Sequence, residues 1–91
     1  MVRVKLLLLD ENARKIMGKK EIMLEIPKDK ATIRDLLREI AAKYDGRILN
    51  VISKPNISIL LNGQYIEFLK GVNANLSDGD RVAVISIAAG G

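Results

Sequence analysis

The sequence closes on Gly90-Gly91 and contains neither cysteine nor histidine. Those absences remove thiolate nucleophiles, disulfides and Cys-ligated metal, together with the usual general base and the commonest transition-metal ligand. What is left for chemistry is the carboxylate that two glycines present at position 91. Glycine has no Cβ and reaches backbone angles closed to other residues, so such an end can enter a narrow, enclosed site. We expect the function to sit at Gly91, behind Gly90 and the small residues Ala88 and Ala89. Four extended residues reach at most about 13–14 Å. The expected organisation is a single domain over residues 1–91 whose last four residues, 88–91, form a flexible tail. Asp78-Gly79-Asp80 offers too few ligands for a cation and reads as a tight turn, so no metal and no bound cofactor are expected.

The elements that must hold this end are modest in size. Ninety-one residues allow one domain, and with aromatics confined to Tyr44, Tyr65 and Phe68 its core must be built from Leu, Ile and Val. Such a core suits a compact domain without a large cofactor pocket. The run Leu6–Leu9 ends at Asp10, too short for a membrane span or a signal core, and a cytoplasmic protein without membrane partners is expected. The net charge of +4 is dispersed. Its densest stretch, Arg14 to Lys20 with Gly18 inside, reads as a solvated hairpin loop; no aromatic accompanies it for stacking, so no nucleic-acid partner is expected.

Val2, Val4, Leu6 and Leu8 alternate with polar residues, the period of a half-buried strand. Ile22, Leu24 and Ile26 do the same before Pro27, and the two runs are expected to form a hairpin. Thr32 with Asp35 three residues on forms a near capping box, and Ile33, Leu36, Leu37, Ile40, Ala41 and Tyr44 fall on one helical face, with Gly46 ending the helix. Residues 47–53 are apolar and of open type. Ile57–Leu61 leads into Asn62-Gly63, a pair suited to a type I′ turn, and Tyr65–Phe68 would return as a strand. Asn75–Asp80 is a polar turn around Leu76, and Arg81–Ile87 is a last strand. Strand, strand, helix, strand, strand, strand predicts an α+β roll with one main helix on a mixed sheet. The first and last strands are the most apolar and should lie side by side in its middle, parallel: a β-grasp, ubiquitin-like arrangement.

The segment Leu76-Ser77-Asp78-Gly79-Asp80-Arg81-Val82-Ala83-Val84, followed seven residues later by Gly90-Gly91, resembles the end of the ubiquitin-like sulfur-carrier family typified by MoaD and ThiS, which includes small archaeal modifier proteins. The Asn62-Gly63 turn and the helix start at Thr32–Leu37 also match the MoaD pattern. Where many MoaD proteins have two prolines before the tail, this chain has Ser86-Ile87, which lets the strand continue.

The resemblance implies a carrier, not an enzyme. A ubiquitin-activating-like adenylyltransferase of the MoeB/ThiF kind would use ATP to join the Gly91 carboxylate to AMP. A sulfur donor would then leave a thiocarboxylate that serves molybdopterin, thiamine or tRNA thiolation, in the first case with the large subunit of molybdopterin synthase as partner. Alternatively a lysine of a target protein would attack, making the chain a ubiquitin-like modifier. A non-catalytic interaction module is the remaining reading. Partners should meet the sheet face opposite the helix, centred on the last strand. Either Val82 and Val84 or Ala83, Ile85 and Ile87 could face outward, since a one-residue slip inverts the set. The expectation adopted is Ile85 and Ile87 outward, continuing into Ala88 and Ala89, with Phe68 in the core or flanking the contact.

Overall fold

The computed structural model describes residues 1–87. A five-stranded mixed sheet has the order β2-β1-β5-β3-β4, built from β1 (Val2–Leu8), β2 (Glu21–Ile26), β3 (Ile57–Leu61), β4 (Gln64–Tyr65) and β5 (Arg81–Ser86). β1 and β5 are central and parallel, with Leu6 beside Val82 and Leu8 beside Val84, while β2 and β3 flank them antiparallel. The expected roll and its parallel middle pair are therefore present.

Three helices cover one face: α1 (Glu11–Met17), α2 (Ile33–Lys43) and α3 (Ile48–Ile52). The alternation read from the sequence sorts the strands accurately. Val4, Leu6, Leu8, Ile22, Leu24, Ile26, Val82 and Val84 are buried on the helix side, with Ile33, Leu36 and Ile40 of α2 against them. Each large aliphatic side chain removed from water in this way contributes about 1.5–3 kcal/mol. At the start of α2 the Asp35 amide donates to Thr32 Oγ1 at 3.3 Å and the Thr32 hydroxyl donates to Asp35 Oδ2 at 2.8 Å, so the cap forms as expected.

Four local expectations are corrected. The hairpin loop over Arg14–Lys20 is instead mostly helix: β1 and β2 do pair, but α1 connects them, capped by Asp10 and ended by Gly18 at φ 72°. Ala13 and Met17, four residues apart, bury one side of it, and Lys15 pairs with Glu11 across a turn at 3.3 Å. The Gly18 that suggested a turn is a helix C-cap, since its positive φ satisfies either. Tyr44 is not part of the core face; α2 ends at Lys43, and Tyr44 sits at the C-cap, 43% exposed, with Gly46 beyond the end. The strand over Tyr65–Phe68 is only Gln64–Tyr65, after which the chain winds into a 3₁₀ turn at Ile66–Phe68 that buries Ile66. Phe68 is consequently 83% exposed, outside the core, edge-on to Tyr65 with ring centroids 6.4 Å apart. Asn62 and Gly63, at φ 50° and 83°, form the expected turn. Among the described residues no helix is long and apolar enough to cross a membrane.

Candidate functional site

β5 carries the chain toward its end through the middle of the sheet, so everything about residues 85–87 depends on how β5 is seated. Its start is locked by the turn before it. Asp80 accepts from the Ser77 amide at 2.7 Å and from Asn62 Nδ2 at 2.9 Å, and Asn62 Oδ1 accepts from the Arg81 amide at 2.9 Å. Asp78 Oδ1 accepts from the Arg3 amide at 2.8 Å, and the Gly79 amide donates to the Arg3 carbonyl at 2.8 Å. Gly79 has φ 90°, a conformation that favours glycine. The Asp-Gly-Asp turn thus spends its carboxylates on β1, on the β3–β4 turn and on its own backbone.

With the start fixed, alternation decides the faces. Val82 and Val84 are buried against the helices, whereas Ile85 is half-buried and Ile87 is 40% exposed on the opposite side. The adopted register is the observed one. The strand pairings then bring together residues that local reading did not connect. Leu7 of β1 lies beside Ala83, Ala83 beside Leu60 of β3, and Leu60 beside Tyr65 of β4, an apolar row across four strands of the outer face. An open concavity of about 430 Å³ is lined by Leu7, Leu60, Ala83, Arg81, Asn62 and Gly63. Leu7 could have been found in the sequence, as an outward position in the Leu6–Leu9 run whose Leu6 and Leu8 alternate inward.

The far end of β5 is held by a residue that no motif or spacing in the sequence singles out. Asp10, 5% exposed, accepts from the Ala13 amide at 2.9 Å as the cap of α1 and, through its other oxygen, from the Ser86 hydroxyl. Its carboxyl lies below the ordinary 3.8. Burial pushes it up, but the Ser86 hydroxyl, the Ala13 and Asn12 amides and the nearby Lys54 ammonium together outweigh that. Ala88, Ala89, Gly90 and Gly91, the remaining residues expected to act, lie outside the described residues.

A model of the ThiS family matches residues 9–91. The chain belongs to the ThiS family. Over 82 residues it is 38% identical to small archaeal modifier protein 3 of Haloferax volcanii, covering 86% of this chain and 88% of that one. Over 74 residues it is 31% identical to a putative sulfur carrier protein of Archaeoglobus fulgidus, covering 75% and 83%. The solution structure of small archaeal modifier protein 1 from Methanosarcina acetivorans superposes with a TM-score of 0.78 at 26% identity, covering 100% of this chain and 98% of that one. The β-grasp roll is therefore the fold of this ThiS-family chain. It is a ubiquitin-fold carrier or modifier.

Proposed function

We propose that the chain is a ubiquitin-like modifier joined through the Gly91 carboxylate to lysine amines of other proteins. A carboxylate oxygen attacks the α-phosphorus of ATP within a ThiF- or MoeB-like adenylating enzyme, pyrophosphate leaves, and an acyl-adenylate results. A lysine amine then attacks the carbonyl and expels AMP, forming an isopeptide bond. The observation that carries this reading is the 38% identity over 82 residues to a protein named as a modifier. The sequence by itself places sulfur transfer first, and this similarity reverses that order. Sulfur transfer stands as the second reading, supported by the likeness to a putative sulfur carrier. It needs the same adenylate, from which a sulfur nucleophile displaces AMP to leave a thiocarboxylate.

The outer sheet face is the surface we assign to the activating enzyme. An enzyme that encloses the Gly91 carbonyl must work within about 13–14 Å of Ile87, and there it meets Ile85, Ile87 and the row Leu7, Ala83, Leu60. Apolar side chains gathered on one face, with Lys5 and Arg81 paired at its border, have the composition of a contact with a hydrophobic centre and a polar rim.

Purification of N-terminally tagged chain from its own cells, followed by trypsin digestion, tests the assignment. No Lys or Arg follows Arg81, so trypsin leaves the segment Val82–Gly91 on each modified lysine rather than a bare diglycine. Peptides carrying that branch are expected in cells with the chain and not in cells lacking it; their absence under conditions of expression overturns the modifier reading. Intact-mass measurement of the same sample reports sulfur transfer as one oxygen exchanged for sulfur.

A further inference from the structure

β5 outruns its β1 neighbour. The parallel pairing stops at Leu8 beside Val84, and the Leu9 and Asp10 amides both turn in to the Val84 carbonyl, at 2.9 and 3.0 Å. Beyond Val84 the strand keeps backbone partners, among the described residues, on one side only: Ser86 lies opposite Ile57, and the Ile87 amide donates to the Asn56 carbonyl at 2.7 Å. On the side β1 has vacated stands the Asp10 carboxylate, receiving the Ser86 hydroxyl. Asp10 is itself fixed, because it caps α1 through the Ala13 amide and is buried between that helix and the strand end. A strand end with one free edge can swing away from the sheet; a charge-assisted hydrogen bond on the open edge removes that freedom.

We propose that Asp10 and Ser86 are positioning residues for the activation chemistry: a clasp that holds the last turn-free residues of β5 in line with the sheet and so sets the direction in which the chain leaves Ile87 toward the activating enzyme. The inference rests on the adenylation proposed above. Its physical content is the entropy of the approach. The enzyme must capture a carboxylate at the end of a short thread, and a root that points one way presents it in the reacting geometry more often. Neither residue belongs to the outer face, since Ser86 shares the side of β5 that carries Val82 and Val84. Loss of the clasp therefore leaves docking intact and lowers turnover, a signature that a face residue would not give.

The test compares the full chain with Ser86→Ala, Ser86→Thr and Asp10→Asn, all tagged at the N-terminus. Two readouts are taken: amide hydrogen exchange at Ile87 by NMR, and ATP–pyrophosphate exchange with the adenylating enzyme. Ser86→Ala is expected to speed exchange at Ile87 by roughly tenfold, the equivalent of one charge-assisted hydrogen bond, while the amides of Val82 and Val84 keep their protection. It should lower kcat about tenfold with KM unchanged. Ser86→Thr, which keeps the hydroxyl, restores both, and Asp10→Asn behaves as Ser86→Ala at Ile87. Wild-type protection at Ile87 in Ser86→Ala overturns the clasp, as does a rise in KM at constant kcat. Failure of the wild-type chain to be adenylated sinks the proposed function instead, and Ile87 exchange then decides the clasp alone.

Discussion

Trimming Ile85 to alanine should damage activation far more than folding, and trimming Val84, its neighbour on the same strand, should do the reverse. Val84 is 1% exposed, packed between the sheet and the helices. Val84→Ala removes two methyl groups at about 0.8 kcal/mol each and leaves a cavity, for a loss of about 2–3 kcal/mol. For a domain of this size, at about 4–8 °C per kcal/mol, Tm should fall by about 10–20 °C. Ile85 is half-buried on the outer face, so Ile85→Ala should cost about 1 kcal/mol and about 4–8 °C. At the centre of an interface, however, the same truncation is worth about 2 kcal/mol of binding, which raises KM for the activating enzyme about thirtyfold. Thermal unfolding and steady-state ATP–pyrophosphate exchange on both variants measure the two effects separately. An Ile85→Ala chain with wild-type KM, or one that unfolds as early as Val84→Ala, would refute the assignment of the outer face.

Gly79→Ala should lower stability by about 1–2 kcal/mol, read as a fall in Tm; an added Cβ meets nothing within 4 Å, so the whole cost is the positive φ of 90°. Asp10 gives a pH dependence with a definite sign. Its folded carboxyl lies below the unfolded value near 3.8, so its stabilisation is fully present above about pH 4 and is lost as pH falls through the folded value. Asp10→Asn should therefore be less stable than wild type at neutral pH, with the gap closing on acidification, in denaturant melts across that range. Asp45 is held down at about 2, first by the hydrogen bond from the Arg47 side chain and then by the Arg47 amide; Arg47→Ala should return its titration toward 3.8, followed by carboxyl NMR, and a titration unmoved by the substitution contradicts the pairing.

What could be read from the sequence was what repeats with a short period. Val2 to Leu8 and Ile22 to Ile26 alternate because one side of each strand is buried, and the α2 stripe recurs at helical spacing for the same reason. Helix α1 has the same kind of signal, Ala13 and Met17 with an Asp cap, but in too short a span to outweigh a glycine among lysines. Tyr44 continues the periodic face by spacing, but the helix ends one residue before it, at Lys43, so its side chain leaves the buried stripe. The outer row escaped for another reason. Leu7, Ala83, Leu60 and Tyr65 come from four strands and meet only through three separate registers, and no one of those registers is visible in a local window.

The same dependence on register means that the face proposed for the partner is dictated by the core and not by the partner. A one-residue slip of β5 would turn Ile85 inward and Val82 and Val84 outward. It would also tear two fastenings at opposite ends of the strand: the Arg81 amide would lose Asn62 Oδ1, and Ser86 would turn away from Asp10. Each fastening lies on a different neighbour, the first on the β3–β4 turn and the second at the entry to α1, so no sliding of a single element can keep both. The buried valines and the polar fastenings therefore select one register, in agreement. The outward position of Ile85 follows as a consequence, fixed before any partner arrives, and a partner that reads Ile85 reads the correctness of the fold beneath it.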